Sequence, residues 1–289
     1  MTTPQDPGFA GVSALPPYRS LLVVDMKDYS GSPGRYQTEL TQQIPKILKA
    51  TFKRAGLASV WSQKTFHNTT GDGYAVGLPA EILPLLLNPY LGLLQAELED
   101  RNRVRRHGHQ SIRFRVSIHV GPVHDSGTNS SGDGSGAARV ELHRLLDSQP
   151  VRQLLAGSDS EVTHVAGIVS PRAYEDAVLS KYAEEATSLY VPVPIKVKSF
   201  EGNAYLRVPK PSGDLLIRGF VPEEPAVRPK NASGERRTAG PGAEGRDPGA
   251  GGISSITGGV GTVVNGSNGP LNTGSGNQYV GPPTDGRWR

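Results

Sequence analysis

IRFRVSIHV, Ile112 to Val120, alternates from end to end: Phe114, Val116, Ile118 and Val120 fall on one side, Arg113, Arg115, Ser117 and His119 on the other. That period of two marks a strand with one packed apolar face and one face carrying polar groups. Upstream, SLLVVDM (Ser20–Met26) is an apolar run of strand length, bounded by Pro16–Pro17 and Gly31. Tyr36, Leu40, Ile44, Ile47, Leu48 and Phe52 then recur at helical spacing, and Gly56 supplies a stop. LASVWSQKTF (Leu57–Phe66) reads as a second strand, meeting GYAVGL (Gly73–Leu78) across a hairpin turn at Gly71–Asp72–Gly73. Asn88–Pro89 is expected to cap and begin a helix carrying Tyr90, Leu93, Leu94 and Leu98. Downstream, VELHRLLDSQPVRQLLAG (Val140–Gly157) reads as helical, with Val140, Leu142, Leu145 and Leu146 roughly on one side. THVAGIVS is a strand, Ser170–Pro171 starts the helix PRAYEDAVLSKY, and VPVPIKVKSF and AYLRVP close the domain as strands. The order β-α-β-β-α-β followed by αββ predicts an α+β fold, a ferredoxin-like core with additions.

Leu, Ile, Val and Phe are frequent before Val208 and sparse after it, so the 289 residues divide into one core and a tail. The expected partition is a flexible N-terminus at 1–18, a folded domain at 19–208, a Pro/Gly/Arg/Glu-rich linker at 209–252 and a Gly/Asn/Ser-rich tail at 253–289. The tail is expected to be disordered or weakly β, with strand addition to a partner as an alternative role. There are no cysteines, which excludes disulfides and thiolate zinc sites. The net charge of +4 does not argue for nucleic acid, and the basic run Arg101–His109 reads as the cationic last turn of a helix. Ile82–Leu94 is apolar but interrupted by Pro84, Asn88 and Pro89, the mark of a buried helix and not a membrane span. The first residues lack the basic start and apolar run of a secretory leader, so a cytoplasmic setting is expected.

Two acidic residues sit at strand ends in the first third: Asp25 in LLVVDMKDYSG and Asp72 in NTTGDGYAV. A β-α-β unit brings the end of its first strand beside the adjoining hairpin, and two converging carboxylates make a hard, oxygen-rich site suited to magnesium or manganese. Gly71 and Gly73 allow a tight turn and close approach of a charged ligand. Taken singly, a strand-end Asp and a GDG turn are ordinary parts of a hairpin.

Over Ser20 to about Val208 the chain resembles the class III adenylate and guanylate cyclases. Their first metal motif stands here as Asp25-Met26-Lys27-Asp28-Tyr29-Ser30, their hairpin Gly-Asp as Gly71-Asp72, and their Gly-Ile-His-Thr-Gly-Pro-Val strand as Ser117-Ile118-His119-Val120-Gly121-Pro122-Val123. Arg144 fills the place of their helix arginine, and Lys198 lies near their C-terminal phosphate lysine, with Lys196 as an alternative. The resemblance implies a class III cyclase homology domain acting on a nucleoside triphosphate. Asp25, Asp72 and the Met26 carbonyl would hold two divalent ions, Mn2+ or Mg2+. The Asp28–Gly34 loop, with Tyr29 and Ser30, would meet the phosphates, while Arg144 and Lys198 meet the transition-state charge. It further implies a head-to-tail homodimer, with aspartates from one chain and the helix arginine from the other.

Two positions depart from the family. Val140 stands where a helix asparagine is usual, and Asn68 replaces the purine-reading lysine or glutamate. Asp133, in a Gly/Ser loop, matches the adenine-reading aspartate by count, or is a plain loop residue. Trp61 and Phe66, read on the strand entering the hairpin, would shrink the base pocket. Together with the sequence style, this resembles the bacterial, actinobacterial pyrimidine cyclases of antiphage defence (Pycsar type). UTP as substrate, cyclic UMP as product and a separate cyclic-nucleotide-responsive effector are what that resemblance implies. Asn68 can donate or accept, so the residues themselves leave UTP, CTP and ATP open, as well as a degenerate nucleotide-binding module.

Overall fold

The computed structural model describes residues 14–105, 110–128, 130–198 and 200–220. The expected 253–289 tail, and the linker beyond residue 220, lie outside the described residues. Seven strands, β1 (Tyr18–Met26), β2 (Phe66–Thr69), β3 (Gly73–Pro79), β4 (Phe114–Pro122), β5 (Val165–Val169), β6 (Val191–Val197) and β7 (Phe200–Arg207), form one sheet in the order β2-β3-β1-β4-β5-β7-β6. The first four are joined by antiparallel ladders with β1 and β3 inside, which is the ferredoxin-like order. β5 then runs parallel to β4, and the β6–β7 hairpin completes the far edge. The α+β fold class expected from the sequence is the one observed.

Strand alternation decides which helices lie where. Leu22, Val24 and Met26 of β1, Tyr74, Val76 and Leu78 of β3, and Phe114, Val116, Ile118 and Val120 of β4 share one apolar layer. Against it pack α1 (Gly34–Arg54) through Leu40, Ile44, Ile47, Leu48 and Phe52, and α4 (Leu91–Arg105) through Leu91, Leu94 and Leu98. Gly56, at φ 74°, takes the left-handed conformation that ends α1. Also on this side are α2 (Ala58–Ser62), α3 (Leu83–Leu85) and α7 (Pro171–Tyr174), whose Ser170 hydroxyl accepts from the Ala173 N–H as the expected cap. The opposite face carries α5 (Ala137–Asp147) on Leu21, Val23 and Ala75, and α6 (Gln149–Ala156) on Ala166 and Ile168. Among the described residues no helix is long and apolar enough to cross a membrane.

Local expectations change in four places. Leu57–Phe66 is not a strand: Ala58–Ser62 is α2, and only Phe66 enters β2. Trp61 consequently packs between Phe52 and Tyr74 in the apolar layer, on the face away from Asp25, and cannot narrow a base pocket there. The helix read over Val140–Gly157 breaks at Ser148, which is extended (ψ 148°), because Pro150 brings no N–H and favours a fresh start. Asn88 is extended and does not cap; its amide donates to the Ala183 carbonyl at 2.9 Å, and α4 begins at Leu91. Finally, α8 (Asp214–Arg218) lies inside the stretch read as linker, with Leu215 and Phe220 packed on the α6 side, so folded structure continues past Val208.

Candidate active site

Asp25 and Asp72 come together at one end of the sheet. Asp25 pairs with Gly73 in the β1–β3 ladder, and the Met26 N–H donates to the Asp72 carbonyl at 2.8 Å, fixing the hairpin turn against the end of β1. The turn needs its glycines. Gly71 sits at φ 88°, and a side chain on Gly73 would meet Thr70 Oγ1 at 2.6 Å and the Val24 carbonyl at 2.9 Å. A hydroxyl chain braces it from the other side: Tyr29 Oη contacts Thr41 Oγ1 (2.8 Å), which donates to the Gly71 carbonyl (2.7 Å). Tyr29 therefore ties the loop after β1 to α1 and the hairpin, while Ser30 stands exposed beside it.

The Asp25 side chain points to the face that carries α5, in an ion pair with Arg115 from the neighbouring strand. Burial pushes the Asp25 carboxyl up to about 6 against the pull of Arg115, and the nearby Asp72 and Asp147 charges add to the rise. The two expected metal aspartates thus feel each other's charge. Arg115 was not among the candidates read from the sequence. Its signal was present all the same: an arginine on the polar side of a central strand next to β1 must find a partner there. Along the same face, Arg115 Nε, Ser117 Oγ and His119 Nδ1 are buried without a hydrogen-bond partner among the described residues.

The expected cations occupy a second feature. An open cleft of about 540 Å3 is lined by Ser135, Gly136, Arg139, Val140, His143, Arg144, Asp147, Val197 and Lys198. Arg144 projects from α5 with its guanidinium 5.8 Å from the Phe200 ring centroid. It forms no ion pair among the described residues, because Asp147 is paired with Arg152 and Glu141 faces His119. Lys198 holds the left-handed position (φ 53°) of the β6–β7 turn, which aims it at this cleft. The alternative, Lys196, lies across the hairpin from Glu201, exposed, with the two charges 3.8 Å apart. Neither Asp25 nor Asp72 lines the cleft.

The base-reading candidates are not gathered there. Asn68 lies on the edge strand β2, exposed, its register partner Ala75 facing the same side as Asp25. Phe66 is buried between Gly77 and Gly134, under the Arg139 guanidinium at 5.3 Å, where it fastens the 124–136 loop to the hairpin. Asp133 is a loop-building residue: its carboxylate accepts from the Ser126 N–H (2.6 Å), the Ser126 hydroxyl (2.8 Å) and the Ser130 N–H (2.7 Å). Burial opposes ionisation of Asp133, and those hydrogen bonds overcome it to hold the carboxyl below its usual range. Both oxygens of this carboxylate are thus engaged within its own loop, and Asp133 is buried. Val140 is half exposed at the cleft rim, not on the packed side of its helix.

Compared with known proteins, the chain matches no protein-family model and no curated protein sequence. Among solved structures it is similar to the guanylyl cyclase Cya2, at 14% identity over 68% of this chain and 93% of that chain, with a TM-score of 0.41. The adenylyl cyclase CyaB from P. aeruginosa matches at 15% identity over 66% and 94%, with a TM-score of 0.41. An adenylate cyclase from Trypanosoma brucei matches at 12% identity over 65% and 87%, with a TM-score of 0.40.

Proposed function

We propose that the domain is a nucleotide cyclase that closes the 3′,5′-cyclic ring of a nucleoside triphosphate and releases diphosphate, with UTP as the main substrate. One observation carries the reading: Asp25 and Asp72, distant in the chain, meet at one sheet end, where Asp25 pairs with Gly73 and the Met26 N–H donates to the Asp72 carbonyl. Their donor set fits a hard divalent cation. Two carboxylates repel each other and favour a cation between them; among the described residues no group of three or more His, Cys, Asp or Glu stands together, at this end of the sheet or elsewhere. Asp25 and Asp72, with the Met26 carbonyl, would hold Mn2+ or Mg2+. When bound, the ions supply acidification of the ribose 3′-hydroxyl and neutralisation of phosphate charge.

The residues of the chain do the rest. Arg115 keeps Asp25 ionised and in place until a cation competes for it. The Thr41–Gly71 bond and the Tyr29 hydroxyl hold the hairpin aspartate at the end of β1, so Tyr29 serves as a positioning residue while Ser30 is free to meet a phosphate. Arg144 and Lys198 meet the charge that builds on the phosphoryl oxygens. Neither Asp25 nor Asp72 lines the cation cleft, although the charge of its Asp147 reaches Asp25; in the head-to-tail homodimer that the resemblance implies, each site would take aspartates from one copy and cations from the other. Asn68, on the Asp25 side of the edge strand, is assigned to the pyrimidine edge. The product would act as a second messenger in antiviral defence, on a separate effector; that role rests on the resemblance alone.

Incubating the protein with manganese and each of the four ribonucleoside triphosphates, with products separated by mass, tests the reading. Cyclic UMP as the main product is expected. Cyclic AMP as the main product would overturn the base assignment, and no cyclic product from any triphosphate would favour nucleotide binding without turnover. The occupation of Asp25 by Arg115 and the apolar Val140 at the cleft rim are the observations that keep this second reading in play.

A further inference from the structure

The cleft beside α5 holds a group that neither charge nor packing explains. Arg139, His143 and Asp147 follow one another at four-residue intervals on α5, and Val140 and Arg144 form the adjacent row, so all five side chains line one strip of helix facing the Lys198 turn. Arg139, Arg144 and Lys198 supply positive charge. Cations of this kind hold a polyphosphate but cannot tell a nucleotide from bare phosphate. His143 differs from them. Burial pushes its imidazole below the ordinary value, the Arg139 charge adds to that and Asp147 opposes it, so the uncharged ring is favoured. Half-buried, neither ring nitrogen has a hydrogen-bond partner among the described residues, and the half-exposed Val140 stands next to it. The remaining neutral polar side chain of the cleft, Ser135, is exposed and precedes the helix.

We propose that His143 is the specificity-determining residue of this cleft, hydrogen-bonding the uncharged nucleoside end of the ligand while Arg139, Arg144 and Lys198 hold its phosphates. A neutral imidazole presents one donor and one acceptor, the combination that pairs with a sugar hydroxyl or a base edge. Val140 supplies the apolar contact beside it. The proposal rests on the reading that a nucleoside triphosphate enters this cleft, and the experiment separates the two.

Calorimetric titrations of the full chain, in magnesium, use two probes: the α,β-methylene analogue of UTP, whose bridging carbon is a poor leaving group, and inorganic tripolyphosphate. In His143→Ala, affinity for the analogue should fall about five- to tenfold, the scale of one neutral hydrogen bond, with tripolyphosphate binding changed less than about twofold. His143→Asn, which keeps a donor and an acceptor, should recover most of the loss. Arg144→Ala should weaken both probes. If His143→Ala leaves analogue affinity unchanged, or weakens both probes equally, the proposal is overturned while the cleft reading stands on Arg144→Ala. If Arg144→Ala also changes neither probe, the cleft is not the triphosphate site and both fall. Thermal melting of each variant guards against loss of fold as the cause.

Discussion

At the scale of single residues, the account turns on which charges are free and which are already engaged. Asp133 and Asp72 both lie between glycines, so residue type and immediate flanks alone do not tell them apart. The difference is in their neighbours: Asp133 has Ser126 and Ser130 to satisfy it, whereas Asp72 faces the like charge of Asp25. Asp72→Ala is expected to lower turnover by at least about 10²-fold, and Arg144→Ala by roughly 10²–10³-fold, each with an unchanged melting temperature. Wild-type rates in either variant, measured as diphosphate release, would remove that residue from the chemistry. His119 gives a test of the buried polar row. Burial, with the Arg172 charge adding to it, pushes its imidazole from 6.5 down to about 4. The unfolded chain therefore takes up a proton that the folded chain refuses, so stability is full above pH 6.5 and declines as pH falls toward 4. The decline from this residue is about 3 kcal/mol. Denaturant titrations across that range should show a steeper loss for the wild type than for His119→Gln; equal slopes would mean that the buried row tolerates the proton.

At the scale of elements, the strands were legible wherever alternation was strict. β1, β3 and β4 fall where their patterns put them, because a central strand has two neighbours and a helix layer to satisfy, and few residue orders do so. Leu57–Phe66 was misread because a short apolar-rich run carries no clear period; the Trp61 contact with Phe52 and Tyr74 rewards a helical turn over a strand. The α5–α6 break was missed although Ser148-Gln149-Pro150 is a start signal and the apolar residues on either side, Leu142, Leu145 and Leu146 against Val151, Leu154 and Leu155, do not keep one helical phase. α8 was missed because five residues hold too little pattern to stand out from a Pro/Gly-rich stretch. Leu215 is 8% exposed and packs with Phe220 on the α6 cluster. A chain ending at Val208 should therefore be less stable than one ending at Phe220, by about 2 kcal/mol or more. Equal denaturation midpoints would show that α8 contributes nothing to the core.

At the scale of the whole molecule, the sequence reading carried the α+β class, the ferredoxin-like strand order and the convergence of Asp25 with Asp72 at one sheet end. It could not carry the distribution of charge over the surface, because which residues share a cleft depends on the β6–β7 turn and on α5, far apart in the chain. In the proposed reading that distribution links fold to activity: the aspartates at the β1–β3 end and the cations between α5 and Lys198 would each form half of a site shared between two copies. Mixing the Asp72→Ala and Arg144→Ala chains tests this most directly. Each variant alone is predicted to be inactive. Random pairing makes half of the dimers mixed, each with one site that has both its aspartates and its arginine, so the equimolar mixture should regain about a quarter of wild-type cyclic nucleotide formation. A mixture as inactive as its parts, from chains shown by light scattering to pair, would contradict the account.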